Sequence, residues 1–426
     1  MDAAALGASE RRQPVVFGIY RDGDNNLDSV QERNVTDFIK TTSNNPALKV
    51  VAEDTTGLAR GPFDNGDLRT ESSVITGGTE HVVRVQAPVD MSSRASLAGF
   101  VARTLAAKAD DPKFADAQVW VDLVDHGGGD GGGLESDSSG GFMSVEDIAG
   151  AIADGAAQFR RDHPSSPAAV TGVVANQCLM ASLGFIDALS RAGVKYLCAS
   201  PETMLAPGVP SAKVADDITG LGDSWPQKVV DDTMRARYGS EGDTYHPAAA
   251  FDVFDLDPHK VQAVRDTVGR LYTTVASLPR HGEAAQLLHD IRSDIASVRG
   301  MTRFDHSAEM PWHADRPAIA TYDRIAGDTR LPEAVRIAAR QASDAVRNIV
   351  LAHHESRAFG PFHASYADAA GPTAHVPTTR TSYDSWSDQG VSETHNQFFD
   401  AVHGRDFARA LGTYNRKEDQ AAADLA

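Results

Sequence analysis

Two side chains in this sequence have the chemistry of a nucleophile and its proton-transfer partner, and each one follows an apolar run. His126 lies in the segment Asp-His-Gly-Gly-Gly after residues 119–124, and Cys178 follows residues 170–175. A thiol beside an imidazole can attack an acyl carbon, because the imidazole takes the thiol proton and later returns it to the leaving group. The pair predicts acyl transfer, with Cys178 as nucleophile and His126 as general acid and base.

The elements that position these residues alternate between β-branched runs and helical spacing, which is typical of a parallel sheet with crossover helices. Strands are predicted at residues 15–20, 48–53, 81–86, 119–124, 170–175 and 194–199, and crossover helices at 27–42, 92–109, 145–161 and 179–192. A single right-handed crossover between two strands makes them neighbours or next neighbours, with both carboxyl ends at one sheet edge. His126 and Cys178 are therefore expected to face each other.

Local chemistry at this edge gives two further expectations. The backbone N–H groups of Gly127 and Cys178 are candidate donors to an oxyanion, and glycine permits the close approach that such a hole needs. A helix beginning directly after Cys178, together with a neighbouring imidazolium, predicts a thiol pKa below its usual value of about 8.5. The alternative is structural: a lone Cys is often a small buried hydrophobe, and a His before glycines is often a turn residue.

Composition limits the classes of partner. The 426 residues are 41 % hydrophobic, which is enough for a large core, and the net charge of −19 argues against nucleic acid or an anionic membrane surface. No stretch approaches the ~20 apolar residues of a membrane span. The first residues lack a secretory signal pattern, so a cytoplasmic location is predicted.

Only two cysteines occur, Cys178 and Cys198, which excludes a disulfide scaffold. Cys198 lies within an apolar run and is predicted to be a core thiol. After residue 256 the pattern becomes mostly helical, with helices predicted at 258–278, 284–298 and 332–354. A catalytic domain over 14–256 and a helical C-terminal region over 257–426 are expected. That region either folds separately or packs on the catalytic domain, and the sequence leaves both arrangements open.

The segments described above resemble the clostripain family of cysteine peptidases, which belongs to the caspase-like group with gingipain, legumain and separase. The resemblance rests on Asp-Asn-Asn-Leu at 24–27, Asp-His-Gly-Gly-Gly at 125–129, and Cys-Leu-Met-Ala at 178–181, and it is clear over residues 14–256. It implies a caspase-like three-layer α/β/α sandwich around a mostly parallel sheet. It also implies a Cys178–His126 dyad that hydrolyses peptide bonds through a thioester.

One departure from the family concerns specificity. Relatives that cut after Arg or Lys carry an Asp two residues before the Cys, where this chain has Asn176. A neutral amide cannot pair with a guanidinium, so a basic preference is expected only if Glu202 supplies the charge. Asn176, Ser200 and Glu202 are the candidate substrate-binding residues. No Lys or Arg lies within residues 127–159, so no activating cut after a basic residue is expected there.

Metal sites find little support in the sequence. The chemistry of the dyad requires no cofactor. A calcium site formed by Asp130, Glu135 and Asp137 is a hypothesis based on local acid density and on the calcium dependence of clostripain. Residues 353–355, His-His-Glu, lack the spacing of a zinc protease and are interpreted as a solvated helix end.

The leading function is therefore a cysteine endopeptidase acting on a protein or peptide substrate. Two alternatives stay open: a transpeptidase that uses the same dyad, and a binding or scaffold protein that keeps the fold without turnover. The change to Asn176 is the sequence feature that suggests the second alternative.

Overall fold

Nine strands form one sheet in the computed structural model, which describes residues 12–29, 35–57, 67–204, 208–220, 222, 224–238, 250–298, 315–355, 370–378 and 397–413. In chain order the strands are β1 (Val15–Asp22), β2 (Leu48–Thr56), β3 (Arg69–Thr76), β4 (Thr79–Gln86), β5 (Gln118–Val124), β6 (Gly133–Ser136), β7 (Gly141–Met143), β8 (Gly172–Asn176), β9 (Tyr196–Ala199), β10 (Ala250–Asp255), β11 (Asp315–Pro317), β12 (Val350–Glu355) and β13 (Thr373–His375).

The helices surround this sheet. In chain order they are α1 (Val35–Asn44), α2 (Arg94–Ala109), α3 (Val145–Asp162), α4 (Leu183–Arg191), α5 (Ser211–Ile218), α6 (Trp225–Tyr238), α7 (Pro258–Ala276), α8 (Glu283–Ser297), α9 (Ala318–Gly327), α10 (Glu333–Arg347), α11 (Gln397–Ala401) and α12 (Gly404–Leu411).

The large sheet has the order β12-β10-β9-β8-β5-β1-β2-β3-β4. Its five central strands, from β9 to β2, pair in parallel, and an antiparallel pair of strands extends each side. The short strands form two separate pairs, β6 with β7 and β11 with β13. The predicted parallel sheet is confirmed for the strands that matter to the site.

Both faces of the central strands are buried, which explains their nearly continuous apolar sequences. Along β5, Val119, Val121 and Leu123 face one core, whereas Trp120 and Val124 face the other. Residues from α2, α3 and α4 fill the first core, and residues from α1, α5 and α6 fill the second. This arrangement is the expected three-layer α/β/α sandwich.

Helix α3 is the crossover between β5 and β8, and the residues at its N-terminus favour the start of a helix there. Ser144 is the N-cap, with its hydroxyl accepting the Asp147 N–H, and the acids Glu146 and Asp147 lie in the first turn. Both features stabilise a helix N-terminus. Gly155 permits close packing on α2, since a Cβ there would lie 2.5 Å from the Ala98 carbonyl oxygen.

Several predicted boundaries are wrong. The run 81–86 belongs to an antiparallel hairpin with the unpredicted β3, whose turn uses Gly77 and Gly78 at positive φ. Strand β10 was also not predicted. The helix expected over 27–42 is a turn at residues 27–29 and begins at Val35, while residues 30–34 lie outside the described part of the chain.

The C-terminal region contributes to the same sheet. The helix expected over 332–354 ends at Arg347, and residues 350–355 form β12, which pairs antiparallel with β10. Its helices share a core with the first half of the chain: Val268, Ile291 and Tyr322 belong to the apolar cluster that contains Leu189 of α4. The division into two domains at residue 256 stays a prediction.

Among the residues described, no helix is long and apolar enough to cross a membrane.

Candidate active site

The loops after β5 and β8 are in direct contact. These strands are parallel neighbours, with Val124 opposite Asn176, so the expected adjacency of the two strand ends is confirmed. The Gln177 Nε2 atom donates to the His126 carbonyl oxygen at 2.7 Å. A Cβ on Gly127 would lie only 2.3 Å from the Cys178 carbonyl oxygen, so only glycine permits this approach.

The imidazole of His126 has a partner that the sequence analysis did not assign. Its Nε2 atom lies 2.8 Å from the Oδ1 atom of Asn26, in the turn after β1. An amide oxygen can only accept, so Nε2 carries the proton and Nδ1 is left as an acceptor. Burial lowers the pKa of His126, with Glu135 and Asp137 opposing, so the neutral ring is favoured.

The turn that carries Asn26 is held by its neighbours. Asn25 Nδ2 donates to Asp125 Oδ1 at 2.7 Å and to the Glu135 carbonyl oxygen at 2.9 Å. The Asp125 carboxylate also accepts the backbone N–H groups of His126 and Glu135. Burial and the nearby Asp22 raise the pKa of Asp125. Asp125 therefore fixes the loop around His126 and makes no bond to its ring.

The thiol of Cys178 is enclosed by the loop after β9. Its Sγ atom accepts the Met204 N–H at 3.3 Å and donates to the Met204 carbonyl oxygen at 3.7 Å. Burial raises the pKa of Cys178, although the Met204 N–H opposes this shift. The resting thiol is therefore protonated at neutral pH.

The expected lowering of the Cys178 pKa is wrong, and the helix start explains why. Helix α4 begins at Leu183 with Ser182 as N-cap, not directly after Cys178, and Leu179 intervenes with a φ of 67°. The helix dipole acts mainly within the first turn, so its effect on the Cys178 sulfur is small.

The two candidate oxyanion donors are the backbone N–H groups of Gly127 and Cys178. Within the described residues, neither the Gly127 N–H nor the Cys178 N–H donates to an internal acceptor, whereas Gly128 donates to the Gly132 carbonyl and Leu179 to that of Glu202. Gly127 and Cys178 are both partly exposed. Unpaired N–H groups at such a position can bind an incoming carbonyl oxygen.

The candidate substrate-binding residues lie on the loops around Cys178, and their polar groups bond within those loops. Asn176 Oδ1 accepts the Val209 N–H at 2.7 Å, and its Nδ2 donates to Ser211 Oγ at 3.4 Å. The Ser200 hydroxyl caps its own turn through the backbone of Glu202, and Glu202 is buried. Asn176 therefore holds the segment that begins at Gly208.

The three candidate calcium ligands are not brought together. Asp130 Oδ1 accepts the Gly184 N–H of α4 at 2.8 Å, Glu135 lies on β6, and Asp137 is exposed beyond it. Among the residues with described positions, no group of three or more His, Cys, Asp or Glu side chains is arranged to hold a metal ion.

The two remaining candidates lie elsewhere. Cys198 is fully buried in β9, and burial raises the pKa of its thiol, so the predicted core role is confirmed. His353 and His354 lie on β12, not on a helix end, and their Nδ1 atoms bond Asp252 and Asp231 respectively.

Comparison with known proteins identifies the architecture. No family profile and no curated protein matches the chain. A secreted C11 cysteine protease from Bacteroides thetaiotaomicron matches with a TM-score of 0.64 at 11 % identity, over 92 % of this chain and 100 % of that chain. An inactive zymogen C11 protease from Parabacteroides distasonis matches with a TM-score of 0.60 at 15 % identity, over 92 % and 98 %. The chain has the C11 protease fold.

A third structure shares this C11 fold: the secreted Bacteroides thetaiotaomicron protease in complex with an irreversible peptide inhibitor. It matches with a TM-score of 0.60 at 11 % identity, over 92 % of this chain and 99 % of that chain. C11 is the clostripain family, so the caspase-like fold expected from the resemblance is confirmed. Identities this low establish the fold, while the chemistry depends on the residues of this chain.

Proposed function

We propose that the chain is a cysteine endopeptidase in which Cys178 is the nucleophile and His126 the general acid and base. The observation that carries the proposal is the meeting of three neighbouring strand ends: β1, β5 and β8 supply Asn26, His126 and Cys178 at one edge of the sheet. Ligands of open α/β sheets bind at this edge. The C11 fold, with a peptide inhibitor bound in one solved example, supports a peptide substrate.

Substrate binding must first free the thiol. The Met204 backbone, which bonds Sγ in the resting protein, has to release it before the sulfur can reach a carbonyl carbon. The protonated thiol and the neutral imidazole then hold one transferable proton between them, and neither group carries a net charge before substrate binds.

The reaction then proceeds in two halves. The Cys178 proton passes to His126 as sulfur attacks the carbonyl carbon, and the developing oxyanion accepts hydrogen bonds from the Gly127 and Cys178 N–H groups. His126 gives the proton to the leaving amine, and the carbon–nitrogen bond breaks. Water, deprotonated by His126, attacks the thioester and returns the thiol. No cofactor enters any step.

A second candidate is the same fold without turnover. The Met204 contact and the raised thiol pKa favour it, and one of the solved C11 structures is described as an inactive zymogen. A transpeptidase would use the same thioester with an amine in place of water.

Hydrolysis of a mixed peptide library distinguishes these functions. We expect the wild-type protein to cleave library peptides and Cys178→Ala to cleave none. The matched control is Cys198→Ala, which removes the other thiol from the core and should keep activity. Amine-capped products in the presence of an added amine would indicate a transpeptidase. A wild-type protein that neither cleaves nor transfers would favour the scaffold function.

A further inference from the structure

The strand pair β11 and β13 of the C-terminal region lies against both loops of the candidate active site. Asp315 is directly opposite His375 in this pair, and His375 Nδ1 lies 3.1 Å from Asp315 Oδ1. Asp315 is 1 % exposed and His375 is 4 % exposed. The other carboxylate oxygen of Asp315, Oδ2, has no hydrogen-bond partner among the described residues.

Asp315 Oδ2 is aimed at the loop that carries His126. A Cβ built on Gly129 would lie 3.0 Å from this oxygen and 3.5 Å from the carbonyl oxygen of Leu179. Gly129 also has a φ of 66°, which favours glycine. Gly129, in the His126 loop, therefore lies close to both Asp315 and Leu179, the residue that follows Cys178.

The same strand pair also holds the Cys178 loop. The Thr373 N–H donates to the Ala181 carbonyl oxygen at 2.8 Å, and Thr373 forms a parallel bridge with Ser182. Asp315 and Thr373 thus contact the two loops from one rigid unit. A contact that reaches both loops sets their separation, and separation decides whether a thiol and an imidazole can act on one bond.

We propose that Asp315 is a positioning residue that sets the distance between the His126 and Cys178 loops, so that the β11–β13 pair is part of the catalytic unit. The catalytic consequence rests on the proposed endopeptidase function. The effect on the thiol itself is independent of any substrate, because it concerns only how His126 and Cys178 lie relative to each other.

The test is a double-mutant cycle read by alkylation of Cys178 with iodoacetamide across a range of pH. His126→Ala should remove the contribution of the imidazole from the pH profile of the alkylation rate. Asp315→Ala should move the profile in the same direction, and the double variant should match His126→Ala alone, since coupled residues are non-additive. If peptide hydrolysis is present, kcat should fall by about 10²-fold with KM little changed.

The matched control is Asp323→Ala, which removes an exposed carboxylate paired with Arg347 in the same region and touches neither loop. It should leave the profile unchanged. Asp315→Asn keeps the shape of the side chain and should restore most of the wild-type profile. If Asp315→Ala does not fold, Gly129→Ala disturbs the same contact from the opposite side.

Two results would overturn the positioning role: an unchanged alkylation profile in folded Asp315→Ala, or effects of Asp315→Ala and His126→Ala that add in full. Absence of hydrolysis by the wild-type protein would instead count against the endopeptidase function, and the alkylation cycle would still decide the role of Asp315.

Discussion

The Nε2 atom of His126 lies 2.8 Å from the Oδ1 atom of Asn26, which places the proton of the neutral ring on Nε2. Asn26 is carried by the turn after β1, and β1 is the parallel neighbour of β5. One sheet edge therefore presents an amide, an imidazole and a thiol on three consecutive strands. The amide can orient the ring in the way that a carboxylate or carbonyl oxygen orients the histidine of established catalytic triads.

Removing the Asn26 amide should therefore slow catalysis. We expect Asn26→Ala to lower kcat by roughly 10–10²-fold with a smaller change in KM, because the ring loses its orientation. Asn26→Asp should raise the pKa of His126 by adding a negative charge and move the acidic limb of the pH–rate profile to higher pH. Steady-state kinetics between pH 5 and 9 measure both effects.

The control for these variants is Asn44→Ala. Asn44 is an exposed residue whose amide donates to the Lys40 carbonyl oxygen at the end of α1. Kinetics of Asn26→Ala equal to those of Asn44→Ala would mean that Asn26 does not orient the ring.

The Cys178 thiol should titrate above its usual range in the resting protein. Burial raises its pKa, so the fraction of reactive thiolate at pH 7 is smaller than for a free cysteine, whose pKa is about 8.5. The midpoint of the alkylation rate against pH should lie above that of a free cysteine measured under the same conditions. A midpoint at or below that of the free cysteine would contradict the enclosed thiol.

Specificity depends on whether any acid faces the side chain before the scissile bond. Because the Asn176 amide bonds Val209 and Ser211, we expect the wild-type protein to cleave after uncharged residues at least as well as after Arg. Asn176→Asp should raise kcat/KM for Arg substrates selectively, by charge pairing. A library profile of cleaved peptides measures this preference.

Glu202→Gln is the companion variant, because Glu202 is a candidate acid in the loop after β9. A wild-type preference for Arg that disappears in Glu202→Gln would show that Glu202 supplies the charge. That result would reverse the expectation for the wild-type protein.

Asp122, on β5 beneath the site, should make stability depend on pH. Burial raises its pKa to about 7, with Ser211 opposing, so the folded state holds a proton that the unfolded chain releases above about pH 4. This contribution to stability is present at low pH and is lost as pH rises towards 7, at about 1.4 kcal/mol per pKa unit. The stability of Asp122→Asn should not show this fall as pH rises.

Urea denaturation at pH 4.5 and pH 7.5 measures the difference. The free energy of unfolding of Asp122→Asn relative to wild type should increase between these two pH values. Asp344→Asn, at an exposed position of α10, is the control and should show no such trend. A constant difference between Asp122→Asn and wild type would mean that Asp122 is ionised in the folded protein.

The central part of the fold could be predicted because its signals are local. Strands β1, β2, β5 and β8 are short apolar runs that bury both faces, and their carboxyl ends fix where His126 and Cys178 lie. The spacing of one crossover helix, α3, predicts β5 and β8 to be neighbours or next neighbours, and they are neighbours. Both results follow from burial and chain connectivity.

The outer strands were missed because long-range pairing, not local pattern, makes them strands. β3 has the polar sequence Arg-Thr-Glu-Ser-Ser-Val-Ile-Thr, and β12 directly follows a strongly amphipathic helix. β12 is a strand because it pairs antiparallel with β10, which is distant in the sequence, so the residues of β12 alone do not predict it. Pairing with a neighbouring strand overrides the local secondary-structure preference.

At the candidate site, the sequence predicted the two residues that we propose react, but not the atoms around them. The contact between Asn26 and His126 joins positions one hundred residues apart, and the Met204 contact with Cys178 depends on the path of a loop. Two signals point to Asn26: its place just after the first predicted strand and its position in the Asp-Asn-Asn-Leu motif at 24–27. The expected thiol pKa is wrong because α4 begins four residues later than predicted.

The most direct test of the proposed dyad is the capture of an acyl group on Cys178. The protein is mixed with an activated peptide ester, quenched in acid, digested, and analysed by mass spectrometry. We expect a peptidyl thioester on the Cys178 peptide of the wild-type protein, much slower to form in His126→Ala and absent in Cys178→Ala. Ester turnover without any adduct on Cys178, or an adduct that forms equally fast without His126, would contradict the proposed dyad.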